Sequence, residues 1–265
     1  MHAHTNSARA KKIVGVIPAR LESTRLPRKP LLLICGHPMV AWVYARARAA
    51  KEFSQLMVAT DSDEVLEWCR SLRIPALITS PAHRSGVDRV AEVMALQSRE
   101  GEAADVYVNI QGDEPAVSAE HIRLLVQPFL NDPQTEISTL KVAMTRQDAI
   151  DPNKVKVVTD HDGLALYFSR SPIPYDRDGQ WTGTYYKHLG FYAYSTAALE
   201  KIRRLRPGSL ERAEQLEQLR FLENAIRITV VESQTDTSGV DTMEDLVAVQ
   251  EYFKRSGVKF PELPG

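Results

Sequence analysis

The stretch that decides the fold is Ile13-Val14-Gly15-Val16-Ile17, which is followed at once by Pro18 and by a charged, proline-rich loop that ends at Pro30. Such a short run of apolar and β-branched residues is typical of a strand buried in a parallel sheet. Strand and helix signals then alternate as far as residue 110. This alternation predicts an α/β fold, in which a doubly wound, mostly parallel sheet carries helices on both faces.

Apolar periodicity and capping residues place the other elements. After about residue 135, strand signals recur without long helices between them, which predicts antiparallel additions or an excursion from the main sheet. A single catalytic domain with an interaction subdomain fits this organisation best. The predicted helices cover 39–50, 63–70, 87–97, 211–223 and 243–253, and the further predicted strands cover 55–59, 76–78, 106–110, 137–144, 155–159, 165–168, 189–194 and 226–231.

Composition excludes several classes of protein. The 265 residues carry a formal net charge of −1, so the overall balance does not favour binding to nucleic acid or to a membrane surface. Cys35 and Cys69 lie outside any metal-binding spacing, and the polar residues 1–12 lack the apolar core of a secretory signal. No apolar run reaches the roughly 18 residues of a membrane-spanning helix. We therefore expect a cytoplasmic protein with a disordered tail over 1–12.

The loop after the first strand carries the chemistry that a triphosphate requires. Arginine guanidinium groups, a lysine ammonium and hydroxyl groups together suit phosphate oxygens. The loop also lies where an open α/β sheet binds ligands, which is beyond the carboxyl ends of its strands. A solvated basic loop is the alternative, and the glycine-rich pattern of a P-loop is absent. The groups concerned are Arg20, Ser23, Thr24, Arg25, Arg28 and Lys29.

Acidic residues follow two other strands. Gln111-Gly112-Asp113-Glu114 comes directly after the strand over 106–110, and Asp241 follows the strand over 226–231. Hard divalent cations such as Mg²⁺ accept one or two carboxylates together with phosphate oxygens and water. The alternative for these acids is turn formation, or capping of the final helix by Asp241 or Thr242.

Taken together, these motifs resemble the 3-deoxy-manno-octulosonate (Kdo) cytidylyltransferase family from about Ile13 to Phe253. Sialic acid cytidylyltransferases share the fold and the chemistry, but their first loop typically has a glycine-serine-lysine run where this chain has residues 23–27, which favours Kdo. The motifs are PAR–STRLP–KP from Pro18, ATDSDEV at 59–65, HRSG at 83–86, NIQGDEP at 109–115, VKVV at 155–158, ALYFSRSPIP at 165–174, HLGFYAY at 188–194, LEQLR at 216–220 and GVDT at 239–242.

The resemblance implies a set of site residues. A half-buried structural histidine remains the alternative for His188, and packing within the sheet remains the alternative for Tyr192. The implied triphosphate ligands are Arg20, Arg25 and Lys29; the cytosine site is Pro18, Ala19, Ser85 and Gly86; the metal ligands are Asp113 and Asp241; the sugar-acid pocket is Gln111, Arg170, His188, Tyr192, Glu217 and Gln218; and the catalytic residues are Arg20, Lys29, Asp113 and Asp241.

The resemblance also implies an activity. It is the Mg²⁺-dependent transfer of CMP from CTP to the anomeric hydroxyl of Kdo, which yields CMP-Kdo and pyrophosphate for lipopolysaccharide biosynthesis. The implied fold is a Rossmann-like nucleotidyltransferase domain over 13–255, with a dimerisation and sugar-binding subdomain near 165–223 and a C-terminal tail over 256–265. A homodimer is implied, with no nucleic-acid or membrane partner. Alternatives are a cytidylyltransferase for sialic acid or amino-Kdo, and a non-catalytic nucleotide-binding protein.

Three positions depart from the family pattern. Arg28 stands where the family usually has glycine, so a positive φ there would strain the arginine; alternatively, its charge would lie near the γ-phosphate. Val87 stands where threonine is frequent, and His37, expected at the surface, replaces a common lysine. None of these changes removes an expected metal or phosphate ligand.

Overall fold

The structure is a computed structural model that describes residues 10–22, 26–83, 85–237 and 239–263. The strands are β1 (Ile13–Ala19), β2 (Leu33–Ile34), β3 (His37–Pro38), β4 (Gln55–Thr60), β5 (Ala76–Ile78), β6 (Val106–Asn109), β7 (Ile137–Met144), β8 (Lys156–Thr159), β9 (Ala165–Ser169), β10 (Tyr185–Ser195) and β11 (Ile228–Ser233). The helices are α1 (Met39–Ala47), α2 (Asp63–Ser71), α3 (Gly86–Arg99), α4 (Ala119–Asn131), α5 (Arg146–Ala149), α6 (Thr196–Ile202), α7 (Ser209–Glu214), α8 (Gln218–Glu223) and α9 (Met243–Arg255), with a 3-10 turn at Lys29–Leu31.

One mixed sheet dominates the described part of the chain. Its main path runs β11-β7-β10-β6-β1-β4-β5, while β8 and β9 join it through β10 to give nine strands among the described residues. The strands β6, β1, β4 and β5 are parallel, whereas β10 runs antiparallel to both β6 and β7. The predicted α/β architecture, with antiparallel additions in the second half, is therefore confirmed.

The two faces of the sheet each bury an apolar core. Along β1, Ile17 contributes to the core that packs under α1, α2 and α4, and its neighbour Val16 contributes to the core under α3, α6 and α8. Successive side chains of a strand point to opposite faces, so a strand covered on both sides must be apolar throughout. The sequence of β1 thus places this strand in the middle of the layers.

The prediction placed the end of the first strand wrongly and missed one helix. The first strand continues through Pro18 to Ala19 and stays in register with β4, although Pro18 was expected to end it. Helix α4 has no counterpart among the predicted elements. Its capping box uses Ser118 and the ring of His121, where the common pattern has glutamate or glutamine, and Pro128 lies inside the helix.

The predicted helix over 211–223 is wrong as a single element. It is divided into α7 and α8 because Gln215 adopts a left-handed conformation with φ 53°. The break frees backbone carbonyls, and Nε of Arg170 donates to the oxygen of Glu214 at 2.8 Å. The residues over 211–223 favour a helix locally, but the contact of Glu214 with Arg170, 44 positions away, accompanies a break in it.

The expected subdomain is continuous with the main sheet, because β10, which lies within 165–223, pairs with β6 and β7. In the segment after α9, the ring of Phe260 stacks on His37 with centroids 3.8 Å apart, so this part of the predicted C-terminal tail contacts the domain. His37 itself is exposed, as expected. Among the described residues, no helix combines the length and apolar character needed to cross a membrane.

Candidate active site

A cavity of about 230 Å³ opens at the carboxyl ends of β1 and β6. Strands β1 and β6 are parallel neighbours with Val16 opposite Asn109, so the residues that follow each strand meet at one edge of the sheet. Nine of the residues expected to form the site line this cavity: Pro18, Ala19, Arg20, Lys29, Ser85, Gly86, Gln111, Asp113 and Asp241. Arg25 lies outside the described residues.

The turn after β6 can approach β1 only because position 112 is glycine. A Cβ atom built on Gly112 would lie 2.4 Å from the backbone oxygen of Pro18. Such contact with backbone cannot be relieved by rotating a side chain. Gly112 therefore sets how closely Asp113 approaches the loop that follows β1.

Lys29 joins the two acids that the sequence singled out. Its Nζ lies 2.5 Å from Oδ2 of Asp113 and 2.9 Å from Oδ1 of Asp241. Burial by itself lowers the pKa of Lys29, but the attraction and hydrogen bonds of Asp113 and Asp241 outweigh it, and the net shift is upward. The ammonium group therefore stays charged, and residues from three separate segments are held within one ion-pair cluster.

The donor set suits a hard divalent cation when phosphate oxygens complete it. Among the described residues, no group of three or more His, Cys, Asp or Glu side chains could hold a metal by itself. Burial, followed by repulsion from Asp113, raises the pKa of the neighbouring Glu114 to about 8, so Glu114 is mostly protonated at neutral pH. Two carboxylates that share one cation are sufficient for Mg²⁺, which usually keeps waters and binds substrate phosphates.

Arg28 adopts the positive φ that the family's usual glycine would allow. It has φ 58° and precedes the 3-10 turn at Lys29–Leu31. Its guanidinium forms a two-pronged pair with Glu64 of α2, and Nη1 lies 2.9 Å from Oε2. The charge is therefore directed to α2, and the strain at φ is offset by this exposed pair only to a small extent. Val87, the second departure, is buried in the core under α3.

The N-terminus of α3 forms one wall of the cavity. Ser85 caps this helix by accepting a hydrogen bond from the backbone nitrogen of Asp88 at 3.3 Å, and Gly86 is its first residue. A Cβ atom on Gly86 would lie 3.0 Å from Nδ2 of Asn109, so the helix start fits closely against β6. Unpaired backbone N–H groups at such a terminus favour ligands that accept hydrogen bonds.

The residues expected to bind the sugar acid lie mostly outside the cavity lining. Gln111 does line it, and its Nε2 donates to the oxygen of Gly190 at 2.9 Å. The guanidinium of Arg170 donates to the backbone oxygens of Glu214 and, at 3.0 Å, of Pro152. These contacts fix Arg170 between β9 and α7.

His188 and Tyr192 are buried on β10, with their ring centroids 5.4 Å apart. Burial lowers the pKa of His188 to about 3, so its imidazole is neutral, and Nε2 lies 3.0 Å from Oγ1 of Thr139. Burial raises the pKa of Tyr192 well above its usual value. Both side chains therefore offer neutral hydrogen-bonding groups.

Glu217 precedes α8 and is followed by the buried Gln218. Burial raises the pKa of Glu217 to about 7, although a hydrogen bond with Ser85 opposes the shift. That hydrogen bond connects Glu217 to the wall of the cavity. The glutamate can therefore exchange a proton near neutral pH close to the predicted nucleotide site.

Comparison with known proteins gives the family. The sequence profile of the cytidylyltransferase family matches residues 14–228. The chain is 51% identical to the 3-deoxy-manno-octulosonate cytidylyltransferase of Acidobacterium capsulatum, over 90% of this chain and 95% of that protein. It is 49% identical to the protein of the same name in Koribacter versatilis, over 92% and 90%. The chain belongs to the 3-deoxy-manno-octulosonate cytidylyltransferase family.

Solved structures agree with this family assignment. A CMP:2-keto-3-deoxy-manno-octonic acid synthetase complexed with CTP superposes with a TM-score of 0.87 at 40% identity, over 92% of this chain and 99% of that one. A putative glucose-1-phosphate thymidylyltransferase from Bacillus anthracis in complex with a sucrose has a TM-score of 0.63 at 16% identity, over 91% and 94%. The second likeness shows the fold alone, which is that of nucleotidyltransferases.

Several cavity residues were not among those expected from the sequence. His83 and Arg89 both line the cavity, and each is held by a carboxylate. Nε2 of His83 lies 2.5 Å from Glu92, and Nη2 of Arg89 lies 2.8 Å from Asp61. A signal was present in the sequence, since His83 and Asp61 belong to family motifs, although neither residue was expected to form the site. Glu22, Pro30 and Gly112 complete the lining.

Proposed function

We propose that this chain transfers CMP from CTP to the anomeric hydroxyl of 3-deoxy-manno-octulosonate and releases pyrophosphate. The observation that carries the proposal is that Arg20, Lys29, Asp113 and Asp241 all line one cavity. Two relatives that bear the name of this activity align with the chain over 95% and 90% of their own length. The solved relative at 40% identity is complexed with CTP.

The nucleotide would bind along the cavity from α3 to the first loop. Ser85 and Gly86 at the start of α3, with the backbone of Pro18 and Ala19, would hold the cytosine. Arg20 is exposed at the end of β1, so its guanidinium is available to phosphate oxygens. Lys29 would bind the triphosphate, and Arg25 is proposed for the same role on the family pattern. Each hydrogen bond to a charged group contributes about 1.5–3 kcal/mol.

The reaction brings an anionic sugar to an anionic nucleotide, so charge must be neutralised. Two unit charges 4 Å apart repel by about 4 kcal/mol at an effective dielectric near 20. Asp113 and Asp241 would hold Mg²⁺, which when bound would screen the phosphates and acidify the attacking hydroxyl. The sugar hydroxyl loses its proton to water, and its oxygen forms a bond to the α-phosphorus as the bond to pyrophosphate breaks. The contribution of this chain is then mainly positioning and fixed charge.

The sugar acid would approach from the side of β10. Gln111 lines the cavity, and His188, Tyr192, Glu217 and Gln218 are proposed to contact the hydroxyl groups behind it. Arg170 is proposed to contact the sugar carboxylate, although its Nε and Nη1 already donate to backbone oxygens. The sugar carboxylate would then bind a remaining N–H of this guanidinium, and the sugar hydroxyl groups would bind the neutral donors and acceptors. Such a site favours polyhydroxylated acids over apolar ligands.

Pyrophosphate release tests the proposal. The protein is mixed with CTP and Mg²⁺, and the rate is compared for Kdo, amino-Kdo and a sialic acid. We expect release with Kdo at a rate at least about a hundredfold above that with sialic acid, the discrimination that unpaired polar groups in a site can supply. Release with sialic acid alone would assign the other sugar, and no release with any acid would favour a non-catalytic nucleotide-binding protein.

A matched variant separates chemistry from folding. Asp113→Asn keeps the shape of the side chain and removes one charge, so we expect turnover to vanish while the circular dichroism spectrum is retained. Rates near those of the unmodified protein would contradict the role of Asp113. The control Asp162→Asn changes an exposed acid in the turn between β8 and β9 and should leave the rate unchanged.

We further propose that the chain acts as a homodimer in the cytoplasm, where CTP is its substrate. Within the region expected to form the interface, Leu166 is 61% exposed and Tyr175 is 83% exposed. An interface between two copies over this region would remove these apolar side chains from water. Light scattering coupled to gel filtration should give a mass of two chains for the unmodified protein and a mass of one chain for Leu166→Glu.

A further inference from the structure

The ammonium of Lys29 lies between the same two carboxylates that are proposed to hold the divalent cation. Nζ is 2.5 Å from Asp113 and 2.9 Å from Asp241, and the Lys29 side chain is only 14% exposed. We propose that Lys29 is an internal cation that holds these acids in the nucleotide-free protein, and that a divalent ion reaches them only when nucleotide phosphates draw the lysine away. Metal binding would then follow or accompany nucleotide binding.

The geometry makes the two cations competitors. Mg²⁺ binds carboxylate oxygens at about 2.0–2.1 Å, so an ion held by both acids would lie close to the place between them that the Lys29 ammonium occupies. A divalent ion and an ammonium held within about 4 Å of each other repel strongly in a partly buried site. One of them must leave before the other can bind to Asp113 and Asp241 together.

The construction of the loop allows the exchange. The backbone of Lys29 is fixed, because it begins the 3-10 turn and its oxygen accepts a hydrogen bond from Leu32 at 3.2 Å. The four-carbon side chain can still rotate, whereas the carboxylates stay on their own segments. Lys29 and Arg20 line the same cavity, so a phosphate group placed there offers the ammonium a new partner of higher charge. Departure of Lys29 then removes its ammonium from the place between the acids where the metal would bind.

This inference rests on the proposed function, because it takes Asp113 and Asp241 as metal ligands. It adds an order of events that the proposed reaction does not require. It also gives Lys29 a second role besides contact with phosphate, which is to keep two like charges together before any ligand is present.

Binding of Mn²⁺ to the nucleotide-free protein tests it. The amount of free Mn²⁺ is read from its electron paramagnetic resonance signal as protein is added. We expect the unmodified protein to bind weakly and Lys29→Met to bind about tenfold more tightly or more, equivalent to about 1.4 kcal/mol. Lys29→Arg keeps the positive charge and should bind as weakly as the unmodified protein.

Two controls define the result. Lys29→Met combined with Asp113→Asn should lose the gained affinity, because the new site depends on both acids. Lys201→Met removes a lysine of α6 that pairs with Glu136 and lies away from the cavity, and it should not alter Mn²⁺ binding. Equal affinity in Lys29→Met and the unmodified protein would overturn the proposal, and so would an equal gain in Lys29→Arg.

The outcome does not depend on turnover. If Kdo is not a substrate but Lys29→Met still gains a Mn²⁺ site at Asp113, the proposed sugar fails and the competition between lysine and metal stands. If turnover occurs but Mn²⁺ affinity is unchanged, the competition fails alone. Should Lys29→Met not fold, Lys29→Gln removes the charge and keeps a polar but shorter side chain, and the rise in its melting temperature with Mg²⁺ alone gives the same comparison.

Discussion

The carboxylate of Asp61 connects Arg89 to the backbone of the first loop. Nη2 of Arg89 donates to Oδ2 of Asp61 at 2.8 Å, and the backbone nitrogen of Leu21 donates to Oδ1 at 3.3 Å. The Arg89 side chain is 2% exposed and also donates to Thr79. A buried ion pair therefore ties α3 to the residue that follows Arg20.

Asp61→Asn should weaken this connection. Removing one charge of a buried pair leaves the other uncompensated, which costs up to about 3–5 kcal/mol, and asparagine recovers a part of this by hydrogen bonding. We expect a loss of about 2–3 kcal/mol in the free energy of unfolding in urea, with a raised KM for CTP. Glu64→Gln, which breaks the exposed pair with Arg28, should cost less than about 1 kcal/mol. Equal losses in the two variants would contradict the prediction.

Gly112→Ala should disturb the site more than its small size suggests. The added Cβ would lie 2.4 Å from the oxygen of Pro18, so one of the two backbones must move. We expect a loss of about 1–3 kcal/mol in unfolding free energy and a large fall in kcat, since Asp113 moves with the turn. Gly190→Ala is the control, because its nearest contact would be an ordinary 3.8 Å. A Gly112→Ala protein as stable as the control would show that the turn adapts.

Arg170→Ala should affect both stability and sugar binding. It removes a hydrogen bond to the oxygen of Glu214, at the break between α7 and α8, and another to the oxygen of Pro152, so unfolding free energy should fall by about 1–3 kcal/mol. The KM for Kdo should rise far more than the KM for CTP. Arg204→Ala, at a residue whose side chain is 80% exposed, should change neither. Equal changes in both KM values would argue against a carboxylate contact.

His188 should make the protein sensitive to acid. Burial lowers its pKa to about 3, whereas an unfolded histidine has a pKa near 6.5. Between these values the unfolded chain binds more protons than the folded one, so stability is lost as the pH falls from about 6.5 towards 3. His188→Asn should flatten this part of the curve of unfolding free energy against pH. His161→Asn, at an exposed turn, should leave the slope unchanged, and so would His188→Asn if the prediction were wrong.

Much of the parallel half of the fold could be predicted because its signals are local. The strand at 76–78 matches β5, and the strand at 55–59 ends one residue before β4 does. Helix α4 was missed because its cap uses a histidine. The helix over 211–223 was predicted as continuous because nothing local shows that Arg170 binds the carbonyls at its break.

The sequence by itself determined the fold class, the family and the types of residue proposed for the nucleotide site, because each of these depends on periodicity and on short motifs. Only the tertiary structure decided which side chains form ion pairs with one another. Lys29, Asp113 and Asp241 come from three distant segments. The pairing of β1 with β6 brings the first two segments together, and the backbone nitrogen of Val240 donates to the oxygen of Asp113 at 2.9 Å, which places Asp241 beside them. Likewise, the placement of Arg89 beside Asp61 follows from packing that no local pattern encodes, because burial and distance are properties of the folded chain.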